Sequence, residues 1–137
     1  MYRRPDGGPP LTANAIALFA SARRNGNTGA FMDRIAAELG IEIVDLAGLD
    51  IAPCDYEHRH RGDDFEPLMR RVLGFDRIIF ASPVYWYAVS PPMKAFLDTF
   101  AYLGMHFGGI AHANCQDGFD PFTHEAVALE FVRSVRK

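Results

Sequence analysis

The sequence has few cysteines, no long apolar run and no excess of positive charge. Its two cysteines, Cys54 and Cys115, lie far apart and form no C-x-x-C pair, which favours a reduced protein of the cytoplasm over a disulfide-bonded secreted one. No apolar run approaches the ~20 residues of a membrane span. The net charge of −3 gives no basic surface for nucleic acid. We therefore expect a cytoplasmic protein that binds neither membranes nor nucleic acid.

The first twelve residues, M-Y-R-R-P-D-G-G-P-P-L-T, carry positive charge but lack the apolar segment of a secretory signal. Their proline and glycine content predicts a disordered lead-in over residues 1–12. The remaining residues, 13–137, have the length of one domain, and they contain neither an internal repeat nor a linker. With 49% apolar residues, this domain can bury a substantial core.

Apolar runs of strand length alternate with amphipathic runs along the chain. The runs at 15–19, 42–46 and 77–81 predict three buried parallel strands, and residues 105–113 predict a weaker fourth. Helical spacing of apolar residues predicts four helices between and after these strands. The first helix is expected to end at Gly40, and the second to be capped by Asp63 and Asp64 and to end at Gly74. The third is expected to have Pro92 in its first turn and to end at Gly104. The last is expected to begin near Thr123, with Val127, Phe131 and Val135 spaced by four. This β-α alternation predicts an α/β fold with helices on both faces of a parallel sheet.

The loop after the first strand, S-A-R-R-N-G-N-T, is rich in hydrogen-bond donors and directly precedes a helix. It contains neither a Walker A sequence nor G-x-G-x-x-G. Its hydroxyl and amide groups would suit a single phosphomonoester, because the free N–H groups and the dipole of a helix N-terminus favour an anion. The alternative is an ordinary polar loop in which Asn27 or Thr28 caps the helix.

The loop after the third strand, residues 82–90, carries consecutive aromatic residues that include Trp86, the single tryptophan. Since Tyr85, Trp86 and Tyr87 cannot all enter the core, at least one should offer a flat surface to a planar ring. Alternatively, these side chains cover the next helix or a dimer interface. Ligands of parallel sheets lie beyond the carboxyl ends of the strands, so the two loops together suggest a ligand with one phosphate and a flat ring.

Two motifs, A-S-A-R-R-N-G-N-T and S-P-V-Y-W-Y-A-V-S-P-P-M-K-A-F-L-D, resemble those of the flavodoxin-like NADPH-dependent FMN reductase family. The resemblance covers residues 15–98. It implies a three-layer α-β-α sandwich, bound FMN, and transfer of electrons from NAD(P)H to a quinone or other small acceptor. It also implies two sets of FMN ligands, Ser21, Arg23, Asn27 and Thr28 at the phosphate, and Pro83, Val84, Tyr85 and Trp86 along the ribityl chain and ring. The flavin carries the electrons, so we assign no catalytic residue.

The chain departs from the family pattern after residue 100, where one central β–loop–α unit is missing. Family sheets have the strand order 2-1-3-4-5, and the missing strand is the fourth. We therefore expect a sheet of about four strands in which residues 105–113 close beside the third strand. Since an uncovered apolar edge invites aggregation, we also expect a homodimer or larger homo-oligomer.

Other interpretations remain open on the sequence alone. Two groups of residues have the composition of a metal site but are better explained without one: Cys54, His58 and His60, and His106, His112 and Cys115. Lys94 could approach a flavin or nicotinamide phosphate or be an ordinary solvated lysine. Alternative functions are FMN binding or protein interaction without NAD(P)H turnover, or an inactive shortened relative.

Overall fold

The computed structural model describes residues 14–53, 57, 62–85, 88–100, 111 and 120–136. The first three strands alternate with helices along the described chain, and two short strands and two further helices follow. Their bounds are β1 Ala15–Phe19, α1 Asn27–Leu39, β2 Ile43–Asp45, a 3-10 turn Leu46–Gly48, α2 Phe65–Val72, β3 Arg77–Ala81, β4 Val84–Tyr85, β5 Ala88–Val89, α3 Pro91–Phe100 and α4 Pro121–Arg136. None of the helices in these ranges combines the length and apolarity needed to cross a bilayer.

The central strand is β1, which pairs in parallel with β2 on one side and β3 on the other. All five of its residues are buried, as expected for a strand covered on both faces. The order β2-β1-β3 agrees with the first three strands of the predicted flavodoxin-like sheet. The predicted fourth strand, residues 105–113, and the stop at Gly104 lie outside the described residues, so closure of this segment beside β3 stays a prediction.

Two apolar cores lie on opposite faces of the sheet. One packs β1 against α2 and α3, through Ile16, Leu18, Leu68, Met69, Val72, Met93, Phe96 and Phe100. The other packs β1 against α1 and α4, through Ala17, Phe19, Met32, Ile35, Leu39, Ala128, Val132 and Val135. The α-β-α layering predicted from the sequence is thus confirmed.

Several predicted boundaries are confirmed by their local hydrogen bonds. Gly40 ends α1 in the left-handed conformation, with φ 67°, and its N–H donates to the Ala36 carbonyl. Asp64 is the N-cap residue of α2, and the carboxylate of Asp63, one residue earlier, accepts from the Phe65 N–H at 3.0 Å. Asp64 does not cap with its side chain, which accepts instead from the Asp50 N–H at 2.7 Å.

The last helix differs from its prediction in start and in face. It begins at Pro121 rather than near Thr123. Its fully buried side chains include Ala128 and Val132, whereas Val127 and Phe131, which the four-residue spacing placed in the core, are only half-buried. The buried face therefore runs through Ala128, Val132 and Val135, of which Val135 agrees with the prediction.

Candidate functional site

The carboxyl ends of β1 and β3 lie side by side. Phe19 is in register with Ala81, and the Ala20 N–H continues the ladder by donating to the Ala81 carbonyl at 3.0 Å. The loops that follow these strands therefore leave the same edge of the sheet. The sequence predicted this edge as the ligand site.

The first loop turns tightly into α1. The Ser21 hydroxyl accepts from the Arg23 N–H at 3.3 Å, and the Gly26 N–H donates to the Arg23 carbonyl at 3.3 Å. Gly26 is the N-cap of α1, in an extended conformation with φ −84° and ψ −174°. The capping role considered for Asn27 or Thr28 is thus wrong, since both are already helical. Helix capping does not explain their polar side chains.

The start of α1 has the properties of an anion site. No side chain caps it, and its first turn contains no acidic residue. A helix N-terminus in this state presents backbone N–H groups and a positive dipole end. The loop and the first turn carry hydroxyl, guanidinium and amide groups, on Ser21, Thr28, Arg23 and Asn27. This donor set fits one phosphate group.

Arg23 and Arg24 are adjacent but differently placed. Arg23 is exposed and forms no ion pair within the described ranges. Arg24 forms a two-point ion pair with Asp33, at 2.6 Å and 3.3 Å. Hydrogen bonding to Asp33 raises the pKa of Arg24 above its ordinary value, against the opposing effect of desolvation. Arg23 is therefore the cation of this loop that remains available to a ligand.

Gly29 is a residue of this site that the motif comparison did not single out. It is buried in the first turn of α1, and a Cβ at this position would lie only 1.9 Å from the Arg24 carbonyl oxygen. The loop can fold back over the helix only because residue 29 has no side chain. The sequence signal that could have identified Gly29 is a glycine inside a predicted helix, where alanine would be more favourable by ~1 kcal/mol.

The segment after β3 is a hairpin rather than the loop predicted over residues 82–90. Strands β4 and β5 pair antiparallel, with Val84 opposite Val89 and Tyr85 opposite Ala88. Val84 is 61% exposed and Tyr85 is 43% exposed, so the hairpin presents apolar surface beside the first loop. Pro83 lies at its base, and Trp86 lies outside the described residues. This exposed surface fits a planar ring.

Ser90 joins the hairpin to the central strand. Its N–H donates to the Ser82 hydroxyl at 2.8 Å, and its own buried hydroxyl donates to the Ala20 carbonyl at 3.0 Å. The Ser90 carbonyl accepts from the Lys94 N–H and so begins the hydrogen bonding of α3. One residue thus links β1, the hairpin and α3, and its side chain makes the link to β1.

Replacing Ser90 with alanine is expected to lower the free energy of unfolding by ~1–2 kcal/mol, because the buried Ala20 carbonyl would lose its side-chain partner. Urea denaturation followed by circular dichroism measures this change. Ser134→Ala is the matched control, since its exposed hydroxyl donates to the Phe131 carbonyl on α4. An equal effect of both substitutions would contradict the linking role of Ser90.

The other candidates from the sequence lie outside the described residues or make an ordinary surface contact. Both groups considered as metal ligands, around Cys54 and around Cys115, fall outside the described residues. Within the described ranges, no cluster of three histidine, cysteine or acidic residues could hold a metal ion. Lys94 pairs with Asp98 on the same helix at 2.8 Å, which agrees with an ordinary surface lysine.

Comparison with known proteins identifies the family of the chain. A curated relative, which carries the provisional name NAD(P)H-dependent FMN-containing oxidoreductase YwqN, from Bacillus subtilis (strain 168), is 30% identical over 82 residues. The match includes 56% of this chain and 45% of that protein, so the chain spans less than half the length of this relative. A solved structure, the Trp repressor binding protein from Bacillus subtilis, is 24% identical with a TM-score of 0.45, over 64% of this chain and 46% of the other. The model of the NADPH-dependent FMN reductase family matches residues 13–129, and the protein belongs to that family.

Proposed function

We propose that the chain binds FMN at the carboxyl edge of its sheet and transfers electrons from NAD(P)H to a small acceptor such as a quinone. The observation that carries the proposal is the uncapped N-terminus of α1 beside an exposed apolar hairpin. These two features fit the two ends of FMN. Family membership supports FMN and NAD(P)H as the cofactors.

In this proposal, each loop holds a different part of the ligand. Ser21, Arg23, Asn27 and Thr28 bind the phosphate together with the first N–H groups of α1. The hairpin residues Pro83, Val84, Tyr85 and Trp86 contact the ribityl chain and the ring. When bound, FMN supplies the hydride-accepting and electron-transferring chemistry. The protein positions the ring, and no side chain is needed as an acid or base.

Titration of the purified protein with FMN tests the proposal. The chain has one tryptophan, Trp86, so its emission reports on the segment assigned to the ring. We expect quenching that saturates near one FMN per chain. A folded protein without quenching at high FMN concentration would contradict the proposal, and FMN binding without NAD(P)H oxidation in the presence of a quinone would reduce it to a flavin-binding role.

Asn27→Ala is expected to weaken FMN binding about tenfold or more, because a hydrogen bond to a charged group contributes ~1.5–3 kcal/mol. Binding of riboflavin, which lacks the phosphate, should change little. Asn14→Ala is the control. The Asn14 amide donates to Asp76 at 2.8 Å directly before β1, at the end of the strands opposite the proposed site. If Asn27→Ala leaves FMN affinity unchanged, the phosphate is not bound at the start of α1.

Two further expectations belong to the proposal. We propose a homodimer or larger homo-oligomer, since β3 pairs with one strand only in the described part of the chain. Location in the cytoplasm follows from the sequence argument alone and stays a prediction.

A further inference from the structure

One side chain, Arg24, connects the first loop to two elements of the fold. Its guanidinium contacts both carboxylate oxygens of Asp33, on the second turn of α1. The same group lies over the Phe19 ring, 5.0 Å from its centroid, at the end of β1. A planar guanidinium held by a two-point contact and an aromatic face has a fixed orientation. The Arg24 side chain therefore ties the loop to the strand before it and to the helix after it.

The main chain of Arg24 is held at the same place. Its carbonyl oxygen packs directly on Gly29, in the first turn of α1. The side chain and the carbonyl thus contact successive turns of one helix. Between these contacts the chain passes through Asn25 and Gly26 to the uncapped start of α1. The path of the loop over this helix end is therefore set by Arg24.

The charge of Arg24 is paired with Asp33, whereas Arg23 forms no ion pair among the described residues. We propose that the Arg24–Asp33 ion pair is a positioning device that holds the loop in its phosphate-binding shape. It thereby makes the chain select phosphorylated flavin over riboflavin. This inference rests on the proposed function, and it adds the selectivity of the site and the residues that set it.

If Arg24 instead contacts the phosphate directly, the Asp33→Asn variant should show the opposite change in FMN affinity. Asp33→Asn removes a negative charge near the loop and leaves Arg24 unpaired. If Arg24 attracted the phosphate by its charge, this change would strengthen FMN binding or leave it unaltered. If the pair positions the loop, FMN binding weakens although the loop has become more positive.

The experiment compares FMN and riboflavin affinities of the full chain by fluorescence titration. For Asp33→Asn and Arg24→Gln we expect the FMN Kd to rise about tenfold, because binding then has to pay for ordering the loop. The riboflavin Kd should change by less than about twofold, and Asp33→Glu, which keeps the carboxylate, should retain most of the FMN affinity. Glu66→Gln makes the same charge change in an exposed ion pair with Arg70 on α2 and should alter neither Kd.

Each other outcome is decisive. Unchanged or tighter FMN binding by Asp33→Asn would overturn the positioning role, and so would an equal loss for FMN and riboflavin. Circular dichroism spectra that match the native protein exclude general unfolding as the cause of a loss. A native protein that binds neither flavin, or binds both equally, would overturn the proposed phosphate site itself.

Discussion

Replacing Gly29 with alanine is expected to weaken FMN binding by about 100-fold and to destabilise the protein. In an ordinary helix this substitution stabilises by ~1 kcal/mol. Here the new Cβ would lie 1.9 Å from the Arg24 carbonyl oxygen, far inside van der Waals contact, and the obstacle is backbone rather than a flexible side-chain end. Overpacking of this kind costs ~1–3 kcal/mol, so the steric cost exceeds the gain in helix propensity.

The loss of affinity follows from the direction in which the clash can be relieved. Since α1 is packed on the sheet through Met32, Ile35 and Leu39, the loop moves and the helix stays. Moving the loop displaces the donors around the proposed phosphate position. Each hydrogen bond to a charged group contributes ~1.5–3 kcal/mol, so misplacing one or two of these donors costs about 100-fold in affinity.

FMN titration and urea denaturation of Gly29→Ala measure the two effects. Gly48→Ala is the control, because it lies outside the loop and no atom is within 4 Å of the new Cβ. A Gly29→Ala protein as stable as this control, with native FMN affinity, would contradict the close approach of loop and helix.

Replacing Arg34 with methionine is expected to lower the free energy of unfolding by ~2–3 kcal/mol, the largest effect we expect away from the site. Arg34 donates to Glu125 on α4 at 2.9 Å and pairs with Glu38 on its own helix at 2.5 Å. Glu38 is buried. Methionine keeps much of the side-chain volume but leaves two partly buried carboxylates near each other, and breaking a buried pair by removing one partner costs ~3–5 kcal/mol. We expect a smaller loss of unfolding free energy than this because the Arg34 side chain is a quarter exposed.

Hydrogen bonding to Glu125, and then to Glu38, raises the pKa of Arg34 above its ordinary value. Arg34 is therefore charged at neutral pH. Urea denaturation at neutral pH measures the loss, and Arg70→Met is the matched control, because it breaks a mostly exposed pair on α2 worth no more than ~1 kcal/mol. If both variants were equally stable, the α1–α4 ion pairs would contribute nothing to the docking of α4.

The elements of the sheet were predictable because their signals are local. Strands β1 and β3 match their predicted ranges at both ends, since a parallel strand covered by helices appears in the sequence as a short continuous apolar run. The predicted burial is confirmed for β1, whereas in β3 only Ile79 is buried. The second strand is shorter than predicted, Ile43–Asp45 instead of residues 42–46. The flavodoxin-like order of these strands came from the family resemblance, and the structure confirms its first three positions.

Features that depend on contacts through space were not predictable. The β4–β5 hairpin has only two residue pairs, and its two intervening residues, Trp86 and Tyr87, lack the glycine or asparagine that marks a two-residue turn. The Arg24–Asp33 pair joins residues on a loop and a helix, and only the folding of the loop over Gly29 brings them together. The sequence showed two adjacent arginines without showing which one would be paired.

The packing of α4 on α1 sets an order for folding. The Arg34–Glu125 contact joins residues that are 91 positions apart, so it can form only after residue 125 has been synthesised. The contacts of β1 with α2 and α3 involve shorter separations and can form first. During synthesis, α4 leaves the ribosome after β1 and α1. Until then, the face of β1 that carries Ala17 and Phe19 and the apolar face of α1 would remain partly exposed. Completion of the second core is therefore a late event, governed by the arrival of the last helix.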